Sequence, residues 1–99
     1  MDMRIIARAT LKQFWQKYPD SAAALQAWYA DVRHAAWRSP ADVKQTYRNA
    51  SIVAHNRVVF NIKGNTYRIV VAVHYESQIV FIRFVGTHRA YDRIDATTI

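Results

Sequence analysis

The strongest constraint on the fold is the alternation of apolar and polar residues on both sides of Gly64-Asn65. A Gly-Asn pair tolerates the positive φ angles of a tight hairpin turn, and pairing across it places Asn61 opposite Arg68. One face of the hairpin is then apolar apart from a single tyrosine hydroxyl, and we expect it to be the core face. Its members are Val58, Phe60, Ile62, Tyr67, Ile69, Val71 and Val73.

Three segments rich in Val, Ile, Phe and Tyr predict an antiparallel meander: 57–63, 66–75 and 79–85. A two- or four-residue connection before the third strand pairs Ile69 with Phe84 and keeps the apolar side chains on the core face. A three-residue connection would bury Arg83, because a slip of one residue turns every side chain over. The opposite face then carries four cations and no acid. We call this group the cationic face: Arg57, Lys63, Arg68 and Arg83.

The first half of the chain predicts helices, because apolar residues recur at helical spacing from Leu11 to Tyr18 and again from Leu25. A capping box of Thr10 with Gln13 is expected to start the first helix. Three helices are predicted: from Thr10 to the residue before Pro19, from Asp20 or Ser21 to about Trp37, and from Pro40 to about Arg48. Residues 3–7 are a possible short edge strand. We expect an α+β fold in which N-terminal helices pack on one face of a small, mostly antiparallel sheet.

The composition favours a nucleic acid or an acidic protein as the partner. Fourteen Lys and Arg against seven Asp and Glu give a net charge of +7, and ten of the fourteen are Arg. The planar fork of Arg suits phosphate and stacks on bases. The absence of Cys excludes disulfides and thiolate nucleophiles, and the four His lack metal-binding spacing, so we expect no metal and no cofactor. With no signal-peptide pattern and no apolar run near the roughly 18 residues of a membrane span, we expect a cytoplasmic protein.

Candidate catalytic groups follow the last predicted strand. Continuing the meander puts Thr87 opposite Thr66, and His88 and Tyr91 are three residues apart, as on one face of a helical turn. A metal-independent ribonuclease needs a base for the ribose 2′-hydroxyl, a cation for the charged phosphorane and an acid for the 5′-oxygen. His88 suits the base or the acid, because an imidazole has an ordinary pKa of about 6.5. In the alternative reading, His88 caps a turn and Tyr91 is a packing residue.

Two segments of the chain, Asn-Ile-Lys-Gly-Asn at 61–65 and Thr-His-Arg-Ala-Tyr-Asp at 87–92, resemble the HigB toxins. This family belongs to the RelE-like superfamily of bacterial toxin–antitoxin systems. The resemblance covers essentially all of residues 1–99 and implies a single RelE-like domain. It implies an mRNA interferase that cleaves messenger RNA, typically on the translating ribosome and without metal, leaving a 2′,3′-cyclic phosphate and a 5′-hydroxyl. It also implies neutralisation by a helix-turn-helix antitoxin, HigA.

The resemblance assigns roles to four residues as catalytic candidates. Arg68 lies where the superfamily has an arginine near the scissile phosphate, and Lys63 lies where it has a basic strand residue. His88 takes a position that holds Arg in RelE and His in HigB-like members. Tyr91 fits the HigB pattern, but the RelE tyrosine lies about three positions later, where this chain has Ile94. The general acid therefore stays open between His88 and Tyr91.

The residues expected to contact RNA are Arg57, Asn61, Lys63, Arg68, Arg83, Thr87 and Arg89. Two other functions fit the same basic surface. The chain could be a non-catalytic module that binds RNA or the ribosome, or a protein-interaction subunit whose basic face receives an acidic partner. Cleavage of RNA would distinguish a ribonuclease from both alternatives.

Overall fold

A computed structural model describes residues 2–99 and contains one five-stranded sheet with the three longer helices on one face. The elements in chain order are β1 (Arg4–Ile6), α1 (Arg8–Lys17), a 3₁₀ turn (Pro19–Ser21), α2 (Ala22–Arg33), α3 (Pro40–Thr46), β2 (Ser51–Val53), β3 (Arg57–Ile62), β4 (Tyr67–His74), β5 (Ile79–Thr87) and α4 (His88–Tyr91). The strand order is β1-β5-β4-β3-β2, and only β1 pairs in parallel, with β5. The predicted α+β fold and the N-terminal edge strand are confirmed. Strand β2 was not predicted from the sequence.

The core lies between the helices and one face of the sheet, as the hairpin alternation predicts. All seven residues of the predicted core face are at most 4% exposed. Phe60 is at the centre, with the Trp37 ring stacked 5.9 Å from it and the Trp28 ring edge-on at 5.4 Å. Burying a large apolar side chain contributes about 1.5–3 kcal/mol, so this face is the main source of stability.

The helices differ from the prediction at their ends. The first starts at Arg8, with Ala7 as its N-cap and no side-chain capping bond, so the predicted capping box at Thr10 is wrong. The amide of Thr10 instead bonds the Ala7 carbonyl oxygen at 3.1 Å. The third helix ends at Thr46, two residues before the predicted Arg48.

The second helix ends at Arg33 rather than near Trp37. The Arg33 carbonyl oxygen accepts a hydrogen bond from the Met3 amide at 3.0 Å, which ties the approach to β1 to the helix end. The chain then leaves the helix, and Trp37 reaches Phe60 from an irregular segment. A tertiary contact therefore overrides the local helical pattern of residues 34–37.

The β3–β4 register agrees with the prediction, with Asn61 opposite Arg68. Between β4 and β5 the ladder shifts: Val71 pairs with Ile82, but Val70 pairs with Phe84. Arg83 is therefore the extra residue of a β-bulge, which bends the strand and re-aims its side chains. The predicted pairing of Ile69 with Phe84 is wrong.

The bulge changes what lies at the end of β5. Thr87 pairs with Tyr67 rather than with the predicted Thr66. Phe84 now lies on the outer face of the sheet, the side away from α1, α2 and α3, and packs in a second apolar cluster with Val59 and Val70.

The outer face is covered in part by the last residues described. Ile94, Ala96 and Ile99 pack against the second apolar cluster, and we call residues 94–99 the covering segment. The open cationic face expected from the sequence is therefore divided by main chain and apolar side chains. Within residues 2–99, no helix is long and apolar enough to cross a membrane.

Candidate active site

Arg68 is held on the outer face at the junction of β3, β4 and α4. Its Nη1 donates to Oδ1 of Asn61, its partner across the β3–β4 ladder, and its guanidinium carbon lies 5.2 Å from the centroid of the Tyr91 ring. The side chain is half-buried, and its Nε has no hydrogen-bond partner within residues 2–99. A guanidinium has five N–H donors, so Arg68 is fixed in place while keeping donors for an anion.

Thr87 starts the short helix that carries the other candidate groups. Its Oγ1 accepts a hydrogen bond from the Ala90 amide at 3.1 Å, which is an N-cap. The His88 amide donates to the Thr66 carbonyl oxygen at 3.1 Å, so the helix is anchored to the β3–β4 turn. The expected helical turn is confirmed, and Thr87, which is predicted to contact RNA, is its N-cap.

His88 is paired with an acid one helical turn later. Its Nδ1 lies 3.1 Å from Oδ2 of Asp92, and the two side chains are 44% and 59% exposed. An ionised carboxylate can only accept, so Nδ1 carries the proton toward Asp92. In the neutral ring, Nε2 then has the free lone pair and makes no hydrogen bond within residues 2–99. This arrangement suits a proton acceptor.

Tyr91 lies between Arg68 and the apolar cover of the outer face. Its ring is tilted 53° to that of Phe84, with the centroids 6.5 Å apart. Gly86 lies opposite Arg68 in the ladder, and a Cβ there would come 2.5 Å from Cζ of Phe84. Because residue 86 is glycine, the Phe84 ring can occupy the space beside it and pack beneath Tyr91. Tyr91 in turn packs against the Arg68 guanidinium.

Lys63 lies apart from Arg68, in the turn after β3, where its φ is +52°. Its Nζ binds Oδ2 of Asp20 at 3.0 Å, and Oδ1 of Asp20 accepts from the Tyr67 hydroxyl at 2.6 Å. These two donors, the Tyr67 hydroxyl first, lower the pKa of Asp20 below its ordinary 3.8. The same hydrogen bond raises the pKa of Tyr67 to about 12. The positive φ angles of the turn fall on Lys63 and Gly64, not on the predicted Gly64-Asn65 pair.

Arg57 and Arg83 are turned toward the covering segment. The Nε and Nη2 atoms of Arg57 lie 3.1 and 2.8 Å from the main-chain oxygen of Ile99, and Nε of Arg83 lies 3.3 Å from the same atom. Arg89, on α4, is exposed and makes no side-chain hydrogen bond or ion pair within residues 2–99.

The predicted site residues thus fall into three places. At the first, Arg68 contacts both Asn61 and Tyr91, and the adjoining turn of helix carries Thr87, His88 and Arg89. Lys63 binds the helical layer through Asp20, and Arg57 and Arg83 bind the covering segment. Residues 2–99 hold no group of three or more His, Asp and Glu side chains arranged to bind a metal ion.

Residues 21–94 match the HigB toxin family, described as the RelE-like toxic component of a toxin–antitoxin system. The chain belongs to the HigB toxin family. A HigB relative, the mRNA interferase toxin HigB of Escherichia coli strain K12, is 32% identical over 92 residues, which cover 91% of this chain and 88% of that protein. The mRNA interferase HigB of Shigella flexneri has the same identity and coverage. The mRNA interferase HigB of Escherichia coli O6:H1 is 22% identical over 94 residues, or 93% of this chain and 91% of its own length.

Two acids of this HigB-family chain were missed as candidate site residues. Asp92 had a local signal, because it lies four residues after His88 on one helix face. Asp20 had none, since it is 43 residues from Lys63 and 47 from Tyr67 along the chain, and only the tertiary fold brings its 3₁₀ turn against the β3–β4 hairpin.

Proposed function

We propose that this protein is the toxin of a type II toxin–antitoxin system and acts in the cytoplasm as an endoribonuclease that cleaves messenger RNA. The observation that carries the proposal is the fixed Arg68 guanidinium beside a helical turn that presents the His88–Asp92 pair. Membership in a family of toxic components and the names of the HigB relatives support the same reaction.

In the proposed reaction, Nε2 of His88 takes the proton of a ribose 2′-hydroxyl. The 2′-oxygen then bonds to the adjacent phosphorus, and the bond from phosphorus to the 5′-oxygen breaks. The products are a 2′,3′-cyclic phosphate and a 5′-hydroxyl, and no metal takes part. Asp92 positions His88, because its carboxylate accepts from Nδ1 and holds the lone pair of Nε2 outward.

Arg68 stabilises the phosphorane in this proposal. Negative charge grows on the non-bridging oxygens as the 2′-oxygen adds, and a preorganised guanidinium binds that charge without having to reorient. The Asn61 and Tyr91 contacts supply the preorganisation. The Tyr91 hydroxyl and the His88 imidazolium are the two candidates to protonate the departing 5′-oxygen, and the Tyr91→Phe variant decides between them.

RNA binding uses the cations that stay accessible around this centre. Lys63 is 49% exposed despite its bond to Asp20, and Arg89 is exposed on α4. With a net charge of +7, association should weaken steeply as salt rises, because bound phosphates release their counterions. We further propose that cleavage takes place on the translating ribosome and that a HigA-like helix-turn-helix antitoxin neutralises the toxin.

The deciding experiment incubates purified protein with translating ribosomes programmed with a defined mRNA and maps the new 5′ ends. Cuts with 5′-hydroxyl ends that persist in excess EDTA, and that disappear in His88→Gln, support the proposal. His74→Gln is the matched control, because His74 is exposed on β4, where its ring lies against that of Phe81. Protection of RNA without any cut would identify a binding module instead.

Neutralisation is tested in cells. Expression of the chain alone should arrest growth, and co-expression of a small helix-turn-helix protein encoded beside it should relieve the arrest. Normal growth at high expression of the folded wild-type protein would contradict the toxin proposal.

A further inference from the structure

Three basic side chains at one side of the outer face bind main-chain oxygens of the covering segment. Nδ1 of His55 lies 3.0 Å from the Thr97 oxygen. Two nitrogens of Arg57 and one of Arg83 converge on the oxygen of Ile99, at 2.8 to 3.3 Å. The β-bulge at Arg83 aims that side chain toward the same point as Arg57, which comes from β3.

The convergence of two guanidinium groups on one oxygen is the geometry of an anion site. Arginine forks are used where carboxylate or phosphate oxygens are recognised by several N–H donors at once. Neither Arg57 nor Arg83 has an Asp or Glu side chain within ion-pair distance in residues 2–99. The oxygen of Ile99 therefore lies where an oxygen of a bound anion would lie.

The covering segment is held by a small apolar contact. Ala96 is buried, Ile94 and Ile99 are half-buried, and all three pack on Val59, Val70 and Phe84. The main core on the other face of the sheet contains sixteen buried residues and makes no use of these side chains. Displacing residues 97–99 would thus cost only the part of this contact that Ile99 makes and leave the fold in place.

We propose that Arg57 and Arg83 form a second phosphate-binding site for RNA, and that residues 97–99 fill it until RNA displaces them. This inference rests on the proposed function, in which RNA is the substrate. Arg57 precedes Asn61 by four residues along β3, which is about 13 Å. The site therefore takes a phosphate other than the reacting one at Arg68, and it fixes the path of the RNA across the sheet.

Competition between the covering segment and RNA has a quantitative consequence. The apparent dissociation constant equals the intrinsic one divided by the fraction of protein whose site is open. A substitution that loosens the segment without touching either arginine must therefore tighten RNA binding. A purely structural segment would have the opposite effect or none.

The test measures binding of a 2′-O-methyl RNA oligonucleotide, which cannot be cleaved, by fluorescence anisotropy at several salt concentrations. We expect Ile99→Ala to tighten binding about three- to tenfold, because it shortens an apolar side chain that holds the segment. Arg57→Gln should weaken binding and reduce the salt slope by about 0.7 to 1. Ile52→Ala is the matched control, because Ile52 is 41% exposed on β2 and belongs to neither apolar cluster, and it should bind as wild type does.

The double variant with Ile99→Ala and Arg57→Gln should show no tightening over Arg57→Gln alone. Wild-type affinity or weaker binding in a folded Ile99→Ala variant would overturn the inference. If that variant does not fold, hydrogen exchange decides in the wild type: amides of residues 97–99 must exchange faster with bound RNA, and slower or unchanged exchange overturns the inference. A wild-type protein that neither binds nor cuts RNA would instead refute the proposed function.

Discussion

Gly86→Ala tests whether the packing beneath Tyr91 sets the geometry of the site. The added Cβ would lie 2.5 Å from Cζ and 3.0 Å from Cε2 of Phe84, whereas carbon atoms in contact lie about 3.5–4.0 Å apart. The Phe84 ring must therefore move by about 1 Å. It cannot swing freely, because it packs between Tyr91 and the covering segment.

Overpacking of this kind costs about 1–3 kcal/mol. For a domain of this size the melting temperature should fall by about 4–15 °C, measured by circular dichroism. A misplacement of about 1 Å near a reacting group can cost up to about 100-fold in rate. Because Phe84 supports Tyr91, and Tyr91 contacts Arg68, we expect mRNA cleavage to fall at least about tenfold in the same variant.

The Phe84→Leu background is the control, since leucine lacks the ring atoms that the new Cβ would meet. In the Phe84→Leu background, Gly86→Ala should reduce the free energy of unfolding clearly less than in the wild type. The difference is a coupling energy of about 0.5–3 kcal/mol in a double-mutant cycle. The same loss of melting temperature with and without the Phe84 ring would refute the packing argument. So would a Gly86→Ala protein with wild-type stability and activity.

Other predictions concern the polar groups. His88→Gln should keep the fold and RNA binding while cleavage falls about 10²–10⁴-fold, measured by single-turnover assay, and a wild-type rate would exclude the imidazole. Tyr91→Phe removes only the hydroxyl: a loss of similar size makes Tyr91 the general acid, and a small loss leaves that role to His88. Arg68→Ala should fold yet lose most toxicity in a growth assay, and an unfolded protein would contradict its outer-face position. Because the pKa of Asp20 is lowered in the folded state, its contribution to stability is present above about pH 4 and is lost as the pH falls further. In urea unfolding, Asp20→Asn should therefore reduce the loss of unfolding free energy at acid pH. An unchanged loss would show that the hydrogen bond from Tyr67 to Asp20 does not contribute to stability.

The β3–β4 hairpin could be predicted to the residue, because both strands carry a continuous apolar face and a slip would expose it. The β4–β5 ladder could be predicted only up to Ile82. The apolar–polar alternation does not predict the register beyond that point, because the bulge at Arg83 turns Phe84 to the outer face. Phe84 is covered there by residues 94–99, which the alternation along β5 does not show.

The candidate site was predictable where its contacts are local and not where they are tertiary. The spacing of His88 and Tyr91 predicted one helical turn, and the structure confirms it. The bond of Lys63 to Asp20 and the bonds of Arg57 to Ile99 join residues 42 to 43 positions apart. The strand alternation placed the four cations of the cationic face on one open surface, because it does not show which acids or main-chain oxygens fold against them.

The position of β5 has a consequence for synthesis of the protein. β5 lies between β1 and β4, so the first strand of the chain has no partner until the last strand has been made. The helix with His88 and Tyr91 follows β5 directly. A nascent chain that ends before β5 therefore has neither a complete sheet nor the helix that carries His88 and Tyr91, although Arg68 on β4 is already present. The same segment, β5 with α4, therefore completes both the sheet and the proposed site.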